Sequence, residues 1–253
     1  MALVFIDLDG TMLDHGKPAK NIVATIKRLK ANGHIPIIAS GRVPHLLYGV
    51  DKVLGIDSYV CANGSYINYQ GQVVYEKYIS ESTVQKMIDT CDKIDADLVL
   101  EGVSGYVAYS KRSEYVDAFS DYFGIERPII DRTFHLNNRI LSLIVFDARK
   151  VDQLRIDFPE LMFIQSSRFG FDVNLKGDLK AEGIRWLVNY LNYPPEDVFA
   201  IGDGMNDISM LKAVNHGIAM GNSHPELLSV ATYVTSDVGD EGVANALHHF
   251  NLI

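Results

Sequence analysis

The chain has 253 residues, 47% of them hydrophobic and 22% charged, a globular composition that excludes a disordered or fibrous protein. Its 23 basic against 32 acidic side chains give a formal net charge of −9, which argues against nucleic acid or an anionic membrane surface as partner. Only two cysteines occur, Cys61 and Cys91, outside any CxxC spacing, so neither a disulfide framework nor a thiolate zinc site is expected.

In chain order, the first element is the apolar run Leu3-Val4-Phe5-Ile6, which stops abruptly at Asp7. Such a run predicts a strand buried on both faces, the pattern of a parallel sheet covered by helices. Residues 18–31 predict a helix with Ile22, Val23, Ile26 and Leu29 on one stripe and Gly33 as its stop. Within it Lys27-Arg28-Leu29-Lys30, the densest basic stretch, reads as a solvated helix face. A second strand is expected from Ile35 to Ala39, ending at Ser40-Gly41-Arg42. Pro36 belongs at its first residue, where a lost donor is tolerated. Strand, helix and strand make a right-handed βαβ unit.

A short strand at residues 59–62 leads into Asn63-Gly64, and runs on either side of Gln70-Gly71 predict a hairpin. Beyond about residue 80 the grammar changes. Helices near residues 83–93, 113–123 and 150–158 alternate with strands near 98–100, 106–109, 140–146, 161–165 and 171–175, which favours an antiparallel α+β unit. From Ala181 the earlier grammar resumes, with a helix, the apolar run Val198-Phe199-Ala200-Ile201 before Gly202-Asp203-Gly204, a short strand at 217–220 and a last helix near 243–250. The expected fold is α/β, a doubly wound, mostly parallel core of residues 1–81 and 180–253 interrupted by an α+β cap of residues 82–179. Too few apolar residues precede Asp7 for a signal sequence, and no apolar run approaches the roughly 18 residues of a membrane span. A soluble, cytoplasmic protein is expected.

Three strand ends carry polar, glycine-containing strings: Asp7-Leu8-Asp9-Gly10-Thr11, Ser40-Gly41-Arg42 and Gly202-Asp203-Gly204-Met205-Asn206-Asp207. In open parallel sheets ligands bind beyond the carboxyl ends of the strands, where these strings converge. Four carboxylates there would repel one another and take up protons unless a cation were bound. All-oxygen donors suit a hard cation, and Mg²⁺ characteristically joins one or two carboxylates to a phosphate. Gly10, Gly41 and Gly204 would let backbone amides approach an anion closely. Aspartates in strand-to-helix loops also cap helices and form turns, and Asp207 on its own reads either way.

Together with Lys180, these strings resemble the four motifs of the haloacid dehalogenase superfamily, and more narrowly those of the Cof-type (subfamily IIB) sugar phosphatases, which carry a cap between the second and third motifs. Asn63-Gly64, Gly217-Ile218-Ala219-Met220-Gly221-Asn222 and Asp240-Glu241-Gly242-Val243-Ala244 extend the resemblance over nearly the whole chain. The resemblance implies an Mg²⁺-dependent phosphatase of small phosphorylated metabolites, most plausibly sugar phosphates. It makes Asp7 the nucleophile that becomes an aspartyl-phosphate and Asp9 the acid and then the base. Mg²⁺ would be held by the Asp7 and Asp203 carboxylates and the Asp9 carbonyl, with Asp207 ordering the metal's waters or Lys180. Ser40 and Lys180 would hold the phosphoryl group. Lys180 is preferred to Lys176 because it opens a helix, although an alanine follows it where the family more usually has glycine. Gly10, Gly41, Arg42, Asn63 and Asn206 are candidate phosphate or substrate contacts. Arg42 reads equally as an ion-pair partner, and the two asparagines equally as loop-ordering residues.

Rival readings are a phosphosugar mutase on the same fold, a non-catalytic phosphoaspartate switch, and a sugar-phosphate-binding protein without turnover. The eight histidines form no HExxH pair, and Gly202-x-Gly204 lacks a third glycine, so neither zinc protease chemistry nor a dinucleotide is indicated. Tyr66, Tyr69, Tyr75 and Tyr78 read as hairpin faces. In the insert, Arg112, His135, Asn137, Asn138 and Arg139 are candidate substrate readers.

Overall fold

The computed structural model describes residues 1–47, 49–177 and 180–253. Asp178 and Leu179, the carboxyl-terminal limit of the expected insert, lie outside the described residues. The strands are β1 (Leu3–Ile6), β2 (Leu13–Asp14), β3 (Lys17–Pro18), β4 (Ile35–Ala39), β5 (Tyr59–Cys61), β6 (Tyr66–Tyr69), β7 (Gln72–Glu76), β8 (Leu98–Gly102), β9 (Tyr106–Ala108), β10 (Ile129–Ile130), β11 (Ile140–Phe146), β12 (Leu161–Gln165), β13 (Gly170–Leu175), β14 (Val198–Gly202), β15 (His216–Ala219) and β16 (Tyr233–Val234).

Two compact units share the chain. One comprises Met1–Gly41, Leu47–Tyr75 and residues 180–253, and the other Arg42–Leu46 and residues 76–177. The second unit thus starts ahead of residue 82 and takes in a short piece directly after Gly41.

The first unit is built on an eight-stranded sheet of order β16-β15-β14-β1-β4-β5-β6-β7. Strands β16 through β5 are parallel, and β6 turns back antiparallel to β5. The completely buried β1 lies at the middle, as its unbroken apolar run requires. Leu3 and Phe5 on one face pack with Ile184 and Leu187 of the helix Lys180–Tyr190 and with Met210 and Leu211 of the helix Ile208–Lys212. The buried stripe Ile22, Ile26 and Leu29 belongs to the helix Ile22–Ala31, which lies against β4 and the helix Gly242–His249.

Two local expectations need correction. The helix expected from residue 18 begins at Ile22, because β2 and β3 form a small hairpin first and Asn21 takes a left-handed φ of 60°. Pro36 is the second residue of β4 and pairs with Val4. It is tolerated there because pairing to β5 begins only at Ile38, so the side on which Pro36 lacks a donor has no strand to serve.

The second unit has a six-stranded sheet of order β10-β9-β8-β11-β13-β12, antiparallel except for the β9–β10 pair. Alternation along β8, β11 and β13 puts Leu98, Leu100, Leu143, Val145, Phe171 and Val173 into one apolar cluster. That cluster also takes Val84, Met87, Ile88 and Cys91 from the helix Glu81–Lys93, and Val151 and Leu154 from Ala148–Asp157. Ser80 caps the first of these helices by accepting the Thr83 N–H at 3.1 Å. Cys61 and Cys91 are both free and buried. No helix among the described residues is long and apolar enough to cross a membrane.

Candidate active site

Sheet order alone brings the chemistry-bearing strings together, because β14, β1 and β4 are parallel neighbours and their carboxyl ends lie side by side. Asp7 prolongs β1 by one ladder bond, its N–H donating to Ile201 O at 2.8 Å. Ser40 prolongs β4 by donating its N–H to Val60 O at 2.9 Å, and its own carbonyl accepts the Asn63 N–H at 3.2 Å. Asn63 is buried in a left-handed turn with φ 50°, a conformation that asparagine tolerates better than most residues.

Lys180 is the first residue of its helix and is fully buried. The helix can come close because Gly183 has no side chain: a Cβ there would meet Gly64 Cα at 2.9 Å and Val60 Cγ1 at 2.7 Å. The Lys180 ammonium lies between two carboxylates, bonded to Asp7 Oδ1 and, at 2.6 Å, to Asp207 Oδ1. The other oxygen of Asp207 accepts the N–H groups of Asp203 at 3.0 Å and Gly204 at 2.9 Å. Asp207 therefore spends both oxygens on partners within the chain, fixing the ammonium with one and the Asp203–Gly204 turn with the other. Asp203 in turn accepts a 2.7 Å hydrogen bond from the Thr11 hydroxyl.

One oxygen from each of Asp7, Asp203 and Asp207 lies within 4.8 Å of the others. The electrostatics of this set are unbalanced. Burial first, and then the charge of Asp207, push the Asp7 carboxyl well above the usual range, while Lys180 pulls it back. Asp203 is pushed up to about 7, chiefly by burial, against the opposing Thr11 hydrogen bond. Burial alone would lower the Lys180 pKa, but the Asp207 and Asp7 charges outweigh it and hold the ammonium protonated. One ammonium does not balance three ionised carboxylates in a desolvated place, so they take up protons unless a further cation is bound. Hard oxygen donors with excess negative charge fit a hard cation. Gly10 belongs to the same packing: its φ is +85°, and any Cβ would collide with the Asp203 carboxylate.

Asp9, Gly41 and Asn206 are half-buried beside these groups in sequence, and a Cβ on Gly204 would touch Asn206 Oδ1. Arg42 belongs to the second unit, where its guanidinium donates to the carbonyls of Leu46 and Phe123, each at 3.0 Å. Lys176 is exposed. Among the insert's candidate readers, Arg112 pairs with Asp117 at 2.9 Å and Arg139 with Glu76 at 2.8 Å, and Asn138 donates to Phe134 O at 2.9 Å. Thr11 is the participant that sequence reasoning left without a role. Its place one residue after Gly10 was the available signal.

The model of the haloacid dehalogenase-like hydrolase family matches residues 4–247. YkrA of Bacillus subtilis (strain 168) is 31% identical over 252 residues, covering 99% of this chain and 98% of that protein. YcsE of the same organism, a 5-amino-6-(5-phospho-D-ribitylamino)uracil phosphatase, is 27% identical over 253 residues, 99% of this chain and 96% of its own. A crystal structure of a hypothetical protein from Geobacillus kaustophilus HTA426 superposes with a TM-score of 0.92 at 33% identity, covering 100% of this chain and 99% of that one. With the motifs gathered at the ends of neighbouring parallel strands and the match running almost from end to end, the chain belongs to the haloacid dehalogenase-like hydrolases and is a phosphatase of that family.

Proposed function

We propose that the protein is an Mg²⁺-dependent phosphatase of small phosphorylated metabolites, sugar or polyol phosphates above all, working through an aspartyl-phosphate on Asp7. The observation that carries this reading is the buried Lys180 ammonium held between Asp7 and Asp207, with Asp203 alongside.

In the first step a carboxylate oxygen of Asp7 attacks phosphorus in line, and the bond from phosphorus to the alcohol oxygen breaks. Asp9 delivers a proton to the departing oxygen. In the second step Asp9 takes a proton from water as the water oxygen attacks the same phosphorus, releasing inorganic phosphate and the Asp7 carboxylate. Attack requires Asp7 ionised, and the Lys180 ammonium favours that form. The same ammonium and the Ser40 hydroxyl offset charge on the phosphoryl oxygens. Asp7 and Asp203, with the Asp9 carbonyl, would hold Mg²⁺, which supplies positive charge for the phosphoryl group. Asp207, occupied by Lys180 and two backbone amides, acts by holding these groups in place. Gly10, Gly41, Asn63 and Asn206 complete the surroundings of the phosphate, whereas Arg42 spends its guanidinium on carbonyls.

The substrate class draws support from YcsE, whose named substrate is a phosphomonoester on a ribityl chain. The test is phosphate release from a panel of phosphorylated metabolites with Mg²⁺ and with EDTA. Release from sugar or polyol phosphates that EDTA abolishes is expected. No release from any member, or isomer formation without net release, overturns the reading, the latter in favour of a mutase.

A further inference from the structure

The segment after β15 contributes no group to the chemistry above, yet it ties together the loops that do. Met220 donates its N–H to Gly202 O at 3.0 Å, His224 to Asp203 O at 3.2 Å, and Gly221 to Ser236 O at 3.0 Å. Among them the Asn222 side chain reaches the Gly10 loop and, a second time, the segment of Ser236 and Val238. Its Nδ2 donates to the Gly10 carbonyl and its Oδ1 accepts the Val238 N–H, both at 2.9 Å. Asn222 is exposed, so water could have satisfied the amide, and burial does not explain why both ends engage distant backbone.

Gly10 is where such a hold matters. Its left-handed φ and the nearby Asp203 carboxylate exclude any side chain, and a glycine that solves the packing also loosens the backbone. Two bonds counter that freedom: the Gly10 N–H donates to Leu13 O at 2.8 Å, and its carbonyl accepts from Asn222. Asp9 precedes this peptide, and Thr11, bonded to Asp203, follows it.

We propose that Asn222 is a positioning residue which, by holding the Gly10 carbonyl, sets Asp9 and Thr11 in register for phosphoryl transfer without touching the substrate. The proposal rests on the reading that the Asp7–Thr11 loop carries the reaction.

Three variants separate the possibilities. Asn222→Asp keeps the acceptor for Val238 and lacks the donor for Gly10, Asn222→Ala lacks both, and Asn222→Gln retains the amide. Two measurements apply to each: hydrogen exchange of the backbone amides in residues 8–14, and hydrolysis of an aryl phosphate with Mg²⁺. The Asp and Ala variants should exchange these amides about tenfold faster or more. Their kcat should fall about 10- to 100-fold with little change in KM, and the Asp variant should melt at the wild-type temperature. The Gln variant should recover part of the loss. Because the Ala variant is neutral, a loss shared with the Asp variant is not an effect of added charge. An Asp variant with wild-type exchange and wild-type kcat overturns the proposal. If the wild-type protein itself releases no phosphate, the functional reading falls, and the exchange measurement still decides whether Asn222 holds Gly10.

Discussion

In the first unit, Asp7 and Asp207 share the ammonium of a fully buried lysine. In the second unit Glu101, also buried, on β8, has the Ser142 hydroxyl of β11 at 2.5 Å, and the charge that acts on it is that of another acid, Asp172. Burial first, and then Asp172, push Glu101 up to about 8, so it is a neutral acid at neutral pH. The first unit keeps a charged lysine under cover between acids, and the second only a neutral acid. Retained charge in a desolvated place costs stability and makes chemistry available. A protonated carboxyl hydrogen-bonded to a serine does neither.

The largest expected effect comes from removing the cation. Lys180→Met leaves two buried carboxylates facing each other and should cost about 3–5 kcal/mol in a denaturant titration, with phosphate release lost. Adding Asp207→Asn should restore part of the stability and none of the activity. A single variant as stable as wild type would show that the ion pairs are not what offsets burial of the acids.

Glu101 predicts a pH dependence of opposite character. A carboxyl whose folded pKa is raised contributes stability that is fully present below its unfolded value and is lost as pH rises through the folded one. Here the window runs from about 4.5 to about 8, at a slope of about 1.4 kcal/mol per pH unit. Glu101→Gln should remove that slope and melt higher than wild type above pH 8, by an amount that falls to nothing near pH 4. Parallel melting curves for the two proteins across this range would contradict the assignment.

Metal binding sharpens the contrast, since among the described residues only the first unit gathers three acids close enough to share a cation. Mg²⁺ at a hundredfold excess over its Kd should stabilise the protein by about 2.7 kcal/mol, and Asp203→Asn should abolish the gain while Glu101→Gln leaves it intact. The smallest effect is expected at Thr11→Val. It removes one hydrogen bond to Asp203, costs about 1 kcal/mol, and should weaken Mg²⁺ binding a few-fold by calorimetry.

The same two units differ in how far the sequence announced them. Asp7, Ser40 and Asp203 were legible because each ends an apolar run, and a parallel sheet has one end at which such residues meet. Lys180 was separable from Lys176 by its place at a helix start, and the structure buries one and exposes the other. Glu101 was not legible. An acid at the end of the apolar run Leu98-Val99-Leu100 reads as the point where a strand surfaces, but β8 continues to Gly102 and is buried throughout. Asn222 and Thr11 stood within quoted motifs, yet their work is to bond to segments 212 and 192 residues away, and no local pattern encodes a partner at that distance. Asp207 shows the intermediate case: its motif was plain, but that one of its oxygens holds Lys180 and the other the Asp203–Gly204 turn could be read only from the fold.

Covalent chemistry at Asp7 is tested most directly by acid quenching of the Mg²⁺-loaded protein during turnover of a sugar phosphate, followed by mapping of the phosphorylated residue. The expected result is a phosphoryl group on Asp7 that appears before free phosphate and decays within seconds, and that is absent from Asp7→Asn, which should fold normally and release no phosphate. Turnover by Asp7→Asn, or a phosphoryl group that stays on Asp7 for hours without releasing phosphate, would contradict it.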